Sequence, residues 1–463
     1  MMEPLNSDFA SKEQPIGPTP IKTRDRDAII QALRAGVVPR IGQQHIQVGR
    51  HNEVKAVVSD INSIAEGGSA FRIVVGDYGS GKTFFLNLVR ALALKEKMVT
   101  VHADLSPDRR IYSTSGQARA LYVELVGNMA TLAKPEGGAM ASVLERFITS
   151  AVNEARQKDI KVEEVIESRL QTLSESVGGY DFAQVVLSYW KGYDEGNHAL
   201  QESAIRWMRG EYTTKTDARH ELGVRTFVDD ANFYDQLKLL SSFVRMAGFN
   251  GLLVCLDEMV NLYKLTNPQS RSLNYEQLLR ILNDSLQGSA SHLGFILGGT
   301  PDFLKDSRKG LFSYAALQSR LAENAYAIDG LVDYSAPVIN LTSLSQEDMY
   351  ILLKNLRNVY AGGDESKFLV PDEALTAFMT YCSHKVGDAY FRTPRTTIKE
   401  FVNLLAVLDQ NPGADWNVLL NNVSLKPEAN PDLDPIESEA HQNVPEGFNL
   451  SKVDDDELSN FKL

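Results

Sequence analysis

The sequence is poor in cysteine and lacks the long apolar runs of membrane proteins. Among its 463 residues only Cys255 and Cys382 are cysteines, which indicates no disulfide framework and favours a reducing cytoplasm. No run of about 18 apolar residues occurs, so a transmembrane helix is excluded. The first 25 residues have no apolar segment of the kind that a secretory signal needs. We therefore predict a cytoplasmic protein with no membrane partner.

Two groups of catalytic and metal-binding patterns are missing as well. The eight histidines are scattered, without H-E-x-x-H or paired Cys/His spacing, and this argues against a structural metal site. No G-x-S-x-G turn of a serine hydrolase is present. The composition, with 43% hydrophobic and 23% charged residues, is that of an ordinary globular protein.

Positive charge is in deficit, with 47 Lys and Arg against 60 Asp and Glu and a net charge of −13. Residues 424–463 hold ten acids and three lysines, so this tail carries −7 and the other residues carry −6. The acidic balance argues against a general nucleic-acid coat protein, but the core can still carry a local basic patch. The tail also contains Leu458, Phe461 and Leu463. We interpret it either as a docking segment or as a solvated, disordered end.

Five short apolar runs with polar or glycine boundaries are typical of buried parallel strands. Helical patterns separate them, which predicts an α/β fold with a five-stranded parallel sheet and right-handed crossovers. The predicted strands are Ala70–Val75, Met98–Ala103, Gly251–Leu256, Leu293–Leu297 and Pro337–Leu341.

The spacing of these runs divides the chain into unequal parts. The gap between the second and third strands is too long for one crossover, and its apolar spacing predicts a large helical insertion over 113–245. Three helical patterns after the fifth strand predict a small C-terminal helical domain. We expect a leader and short helix at 1–45, the core at 46–341, the helical domain at 342–423 and the acidic tail at 424–463.

The strongest motif is a phosphate-binding loop of the form G-x-x-x-x-G-K-[ST], placed between a predicted strand and a predicted helix. Glycines let backbone N–H groups surround phosphate oxygens, and the N-terminus of the following helix adds a favourable dipole. The lysine would reach the β- and γ-phosphates, and the threonine hydroxyl would ligate Mg²⁺. We predict binding of ATP with Mg²⁺ by Gly76, Asp77, Tyr78, Gly79, Ser80, Gly81, Lys82 and Thr83.

Two acids at the end of the third predicted strand complement this loop. Asp257 would hold Mg²⁺, and Glu258 would polarise the attacking water, which favours hydrolysis over binding alone. The alternative is a strand that ends in surface acids. Thr300, in Gly298-Gly299-Thr300-Pro301, follows the fourth strand, which in an additional-strand ATPase lies between the first and third. It would then help to orient water, although Gly-Gly-Thr-Pro is also ordinary turn chemistry.

Three arginines are further candidates. Arg320 lies where an oligomeric ATPase presents an arginine to its neighbour, and Arg395 could contact the γ-phosphate from the same chain. Each could instead be a surface arginine or part of a structural salt bridge. The segment around Gly49 and Arg50 precedes the first helix of the core, where a loop commonly surrounds the adenine, but it could be a plain turn.

One basic loop follows the second predicted strand. In ring-shaped ATPases such loops often face a central channel, and Arg109, Arg110 and Tyr112 could contact DNA phosphates and stack on a base. A solvated surface loop is the alternative. Trp207 lies among Ile205, Met208 and two arginines, and core packing is favoured there over a nucleic-acid contact.

The motifs together resemble the AAA+ ATPases, near the origin-recognition and STAND-like branches. More narrowly, the chain resembles the ATP-binding proteins of bacterial BREX phage-defence systems (BrxC/BrxD type) over about residues 28–420. The stretches that carry this second resemblance are 32–42, 205–211, 298–301 and 310–317. Of these, Trp207-Met208-Arg209-Gly210-Glu211 and Ser313-Tyr314-Ala315-Ala316-Leu317 are more specific than the phosphate loop.

The resemblance implies an ATPase in defence against foreign DNA, with an AAA+-type core and a C-terminal helical lid. It also implies a helicase or other protein of the defence operon as a partner. Our own first hypothesis is a homo-oligomer, for example a ring, whose ATP hydrolysis is coupled to double-stranded DNA or to a DNA-processing partner. Two alternatives stay open. One is a nucleotide-gated switch or scaffold with little turnover, and the other is a remodeller of a protein substrate.

Overall fold

A computed structural model describes residues 20–327, 331–386 and 394–422. Its centre is a sheet of five parallel strands, which confirms the predicted α/β class. Each lies within two residues of its predicted bounds at either end. The strands are β1 Ser69–Val75, β2 Val99–Asp104, β3 Leu252–Asp257, β4 Leu293–Gly299 and β5 Val338–Asn340.

The strand order is β2-β3-β4-β1-β5, so β4 lies between β1 and β3, as the sequence predicted. All pairs are parallel, and the carboxyl ends of β1, β3 and β4 therefore meet at one edge of the sheet. In open parallel sheets ligands bind at this edge, where the strand order reverses. The sheet thereby brings together the phosphate loop, the two acids at the end of β3 and the threonine after β4.

Alternation along the strands divides their side chains between two hydrophobic cores. Val74, Leu253 and Ile296 pack on one face with helices α2 (His51–Ala65) and α3 (Lys82–Lys95). Cys255 lies in the same layer, where burial raises the pKa of its thiol to about 12, and it is a core residue as predicted. The opposite face packs against the helices that connect β2 to β3.

The connection between β2 and β3 consists of helices and loops. Its core is continuous with one face of the sheet, so these helices form a layer on the sheet. Trp207 is 1% exposed and donates its indole N–H to the carbonyl of Thr226, which confirms core packing. The helices are α4 Gln117–Gly127, α5 Met140–Lys158, α6 Val162–Ser174, α7 Gly179–Asp194, α8 His198–Met208, α9 Lys215–Leu222 and α10 Phe233–Met246.

Four helices that connect the later strands complete the core. Two of them, α13 and α14, follow β4, where the sequence analysis selected Pro301 and Arg320. The bounds are α11 Val260–Tyr263, α12 Pro268–Leu286, α13 Pro301–Lys305 and α14 Ala315–Leu321.

The C-terminal helices form a bundle with its own hydrophobic core, and the N-terminal helix belongs to it. The bundle comprises α15 Gln346–Tyr360, α16 Asp372–Val386, α17 Pro394–Gln410 and α18 Trp416–Asn422. Ile29 and Leu33 of α1 (Thr23–Arg34) share that core with residues such as Met349 and Phe401. The short helix expected within a separate 1–45 unit is thus packed as part of the C-terminal bundle.

Two remaining predictions concern membranes and the chain ends. Within the three described ranges, no helix is both long and apolar enough to cross a membrane. The tail predicted at 424–463 lies outside the described residues, and so does the leader up to residue 19.

Candidate nucleotide site

The predicted phosphate loop turns between β1 and α3, and its glycines hold conformations that side chains resist. Gly79 and Gly81 have φ of +77° and +93°, and Gly81 is the N-cap residue of α3. Lys82 donates its ammonium to the carbonyls of Gly76 and Asp77, at 2.9 and 3.0 Å. This places its charge across the loop, at the positive end of the α3 dipole, where anions are stabilised.

Ser80 supplies an observation that fits a phosphate ligand. Its Oγ is buried and has no hydrogen-bond partner within the part of the chain that the structure describes. A Cβ at Gly76 would lie 2.4 Å from this oxygen, so the glycine is needed for the loop to close over the serine. A buried hydroxyl without a partner is costly, and a bound oxyanion would offset that cost.

Thr83 and Asp257, the two predicted magnesium ligands, are in direct contact. The Thr83 hydroxyl donates to Asp257 Oδ2 at 2.7 Å, and Asp257 is 7% exposed. Burial raises the pKa of the Asp257 carboxyl, while the hydrogen bonds from Thr83 and from the Glu258 N–H act in the opposite direction. A divalent cation at these oxygens would stabilise the buried charge. The residues present therefore fit the predicted cation.

Glu258 follows at the end of β3 in a left-handed conformation, with φ of +57°. Such a conformation is uncommon for a residue with a side chain, and it occurs preferentially at functional sites. The Glu258 N–H donates to Asp257 Oδ1 at 2.8 Å, while its exposed side chain lines the same cavity as the phosphate loop. The backbone turn thus directs two consecutive acids to different positions.

Thr300 also lines the cavity, directly after β4, the strand that neighbours β1. It is buried, and its hydroxyl oxygen accepts the N–H of Phe303 at 3.3 Å as the N-cap of α13. The turn chemistry that the sequence offered as the alternative is therefore present. It coexists with a position beside the phosphate loop, since an N-cap uses only the acceptor capacity of the hydroxyl.

Arg50 links the start of α2 to the phosphate loop. It initiates α2 with φ of +61°, and its guanidinium donates to the Ser80 carbonyl at 3.4 Å and lies 3.7 Å from Glu53. Burial lowers the pKa of Arg50, and Glu53 opposes that shift. The preceding Gly49 has φ of +60°, and a Cβ there would lie 3.1 Å from Asp348 at the start of α15.

The structure separates the two other candidate arginines. Arg395, in the first turn of α17, lines the cavity and donates to the Tyr78 hydroxyl, with its guanidinium carbon 5.6 Å from the centre of the Tyr78 ring. Arg320 is exposed on α14 and donates to the Ala316 carbonyl within its own helix. It is not among the residues that line the cavity.

The phosphate loop forms one end of a cavity of 380 Å³ that continues into an apolar chamber. Its size is within the range of sites for drug-sized ligands. Sequence reasoning missed most of this chamber, although the stretch 32–42 was noted for its family resemblance. The chamber, here called the base chamber, is lined by Leu33, Val37, Val38, Pro39, Ile46, Val48, Leu344, Leu352 and Ile398.

The predicted DNA loop lies outside this cavity. Arg110 is 8% exposed and donates to the Pro107 carbonyl at 3.0 Å, so its side chain supports the loop from within. Arg109 forms an ion pair with Glu124 at 3.2 Å, and the Tyr112 N–H donates to Asn274. These contacts give the buried Arg110 a structural role.

Comparison with known proteins places the chain in a family. A family model described as "BREX system ATP-binding protein BrxC/D" matches residues 21–424, which is most of the chain. The chain belongs to this family. Its members are ATP-binding proteins of a phage-defence system, and ATP is accordingly the ligand that the phosphate loop indicates. A search of the curated proteins finds no match.

Proposed function

We propose that the protein is an AAA+-type ATPase that hydrolyses ATP with Mg²⁺. The observation that carries this proposal is the Thr83–Asp257 hydrogen bond beside the phosphate loop, with Glu258 facing the same cavity. This arrangement unites a cation site and a candidate base at one sheet edge. The strand order, with β4 between β1 and β3, supports the AAA+ assignment.

The cavity suggests how ATP would be bound. The triphosphate would follow the loop, with Lys82 at the β- and γ-phosphates, and the adenine would occupy the base chamber. The N–H and C=O of Val48 have no hydrogen-bond partner within the described residues, and Val48 lines the chamber. They are suited to pair with the polar edge of an adenine, while the apolar side chains pack on its faces.

The residues around the γ-phosphate position divide the chemistry among them. Mg²⁺, held by Thr83 and Asp257, would neutralise negative charge on the phosphates. Glu258 would accept a proton from the attacking water, and Thr300 would help to orient that water. Arg395 would contact the γ-phosphate, since it lines the cavity from the C-terminal bundle.

The test of hydrolysis is the Glu258→Gln variant. Removal of the base should lower the ATP hydrolysis rate by about 10²-fold or more, while Mg²⁺-ATP binding persists. Glu195→Gln, at an exposed position after α7, is the matched control and should hydrolyse ATP like the wild type. Equal rates in Glu258→Gln and the wild type would contradict the proposal.

The exposure of Arg320 outside the cavity supports assembly into a homo-oligomer. In that state α14 of one subunit would present Arg320 to the nucleotide of its neighbour, a contribution of roughly 10³–10⁵ in rate for such arginines. Arg320→Ala should therefore lose hydrolysis but keep nucleotide binding. Arg308→Ala is a suitable control, because that side chain is 90% exposed. Mass measurement with and without ATP shows whether assembly occurs.

We further propose that ATP turnover in the cytoplasm is coupled to double-stranded DNA or to a helicase or other defence-operon protein. The phage-defence family supports this coupling. The DNA test is Arg109→Ala/Arg110→Ala, read as DNA affinity and DNA-stimulated hydrolysis. If both values stay at the wild-type level, this loop is not the DNA contact.

A switch with little turnover is the second candidate, because Arg395 and the base chamber connect nucleotide binding to the C-terminal bundle without requiring hydrolysis. ATP-dependent assembly with negligible hydrolysis in the wild type would support the switch and contradict the ATPase.

A further inference from the structure

The side chain of Tyr78 projects from the middle of the phosphate loop towards the C-terminal bundle. Its ring is partly buried and lines the cavity, and its hydroxyl accepts a hydrogen bond from Arg395 Nη1. The guanidinium carbon lies 5.6 Å from the ring centre, within the distance at which a cation is attracted to an aromatic ring. Tyr78 thus holds Arg395 by two contacts of different kinds.

The segment that follows α1 also lies close to Arg395. A Cβ at Gly36 would lie 3.2 Å from Arg395 Nε, so the segment that follows α1 approaches the guanidinium closely. Arg395 itself stands in the first turn of α17. Contacts from the phosphate loop and from the segment after α1 therefore restrict a side chain that carries large rotamer entropy when it is free.

We propose that Tyr78 is a positioning residue that holds the Arg395 guanidinium over the phosphate loop, ready for the γ-phosphate. The inference rests on the proposed function, in which Arg395 contacts that phosphate. The tyrosine hydroxyl is neutral and engages one of the five N–H donors of the guanidinium, so it cannot compete with a phosphate for the charge. Its effect is to remove the entropic cost of orienting Arg395 when ATP binds.

The test compares binding of Mg²⁺-AMP-PNP, which carries a γ-phosphate, with binding of Mg²⁺-ADP, which does not. Tyr78→Phe keeps the ring and deletes the hydroxyl. We expect it to lower the AMP-PNP affinity about threefold to tenfold more than the ADP affinity, the range for one hydrogen bond. Tyr263→Phe is the matched control, because that hydroxyl donates to Asp306 outside the cavity. It should leave the ratio of the two affinities unchanged.

Arg395 variants separate this inference from the function on which it rests. Arg395→Ala should lower the ratio of AMP-PNP affinity to ADP affinity. In the Arg395→Ala background, adding Tyr78→Phe should have no further effect on this ratio. If Arg395→Ala unfolds the protein, Arg395→Lys replaces it, since lysine keeps the charge but loses the fixed fork of donors. A melting curve for each variant confirms that the folded protein is being measured.

Each outcome has a defined meaning. If Arg395→Ala lowers the ratio and Tyr78→Phe does not, the positioning role is overturned and the contact of Arg395 with the γ-phosphate stands. If Tyr78→Phe still lowers the ratio in the Arg395→Ala background, Tyr78 acts through another group and the inference is wrong. If Arg395→Ala leaves the ratio unchanged, the proposed role of Arg395 fails, and the inference fails with it.

Discussion

Gly298 gives the sharpest prediction, because its lack of a side chain is what allows Asp257 to occupy its position. A Cβ at this glycine would lie 2.3 Å from Asp257 Oδ1 and 2.9 Å from Leu86 Cδ1. Real Cβ atoms essentially never approach within 3.0 Å of such a neighbour, so in Gly298→Ala the carboxylate oxygen must move by at least 0.7 Å. The Thr83–Asp257 hydrogen bond of 2.7 Å depends on this carboxylate and would be lost or distorted.

The expected result is a selective loss of the response to magnesium. Misplacement of a catalytic group by about 1 Å can cost about 10²-fold in rate, and we expect a loss of at least tenfold in Mg²⁺-dependent hydrolysis. Overpacking should also destabilise the fold by about 1–3 kcal/mol. The assay is binding of a fluorescent ATP analogue with Mg²⁺ and with EDTA, alongside the hydrolysis rate. In Gly298→Ala, Mg²⁺ should no longer change the affinity for the ATP analogue or the hydrolysis rate.

Gly294→Ala is the matched control on the same face of β4. Its Cβ would lie 2.4 Å from Ile64 Cδ1, in the hydrophobic core and away from the carboxylate. It should destabilise the protein comparably and leave the magnesium response intact. If both variants lose that response equally at the same folded fraction, or if Gly298→Ala keeps it, the reasoning from Asp257 is refuted.

Two further predictions concern ionisable side chains outside the cavity. Arg72→Ala should lower the free energy of unfolding by about 3–5 kcal/mol, because it leaves Asp60 in a largely buried ion pair without its partner. Arg109→Ala breaks a more exposed pair and should cost at most about 1 kcal/mol in the same denaturant titration, so equal losses would contradict the argument. Burial, with nearby arginines, lowers the pKa of His102 to about 3. The unfolded chain therefore takes up a proton below about pH 6.5 that the folded protein does not, and stability is lost as the pH falls, by at most about 1.4 kcal/mol per pH unit. His102→Asn should flatten this slope between pH 6 and 4.5, and an unchanged slope would show that other groups cause it.

The sequence predicted the parts of the site whose chemistry is local. The phosphate loop is contiguous, and its glycines, Lys82 and Thr83 stand at the fixed spacing that phosphate binding requires. Asp257 and Glu258 could be found because they end a fully apolar strand. Once the strands are recognised, the rules for parallel sheets bring their carboxyl ends together.

The base chamber could not be predicted in the same way. Val37 and Ile46 precede the sheet in the chain, whereas Leu344 and Ile398 follow it, and an apolar residue gives the same signal whether it faces a core or a ligand. Arg110 shows the converse limit, since a charged residue in a loop suggests exposure, whereas this side chain is buried. Whether Arg320 meets a second subunit likewise depends on contacts that no single chain contains.

The packing of α1 with the C-terminal helices has a consequence for biosynthesis. Ile29 and Leu33 are synthesised before the whole α/β core, whereas their partners Phe401 and Leu405 are synthesised after it. Until then these two apolar side chains lack the core that they share in the finished protein. The segment after α1 also waits for Ile398 to complete the base chamber. A nascent chain therefore carries the phosphate loop long before Arg395 and Ile398 are synthesised and can complete the cavity beside it.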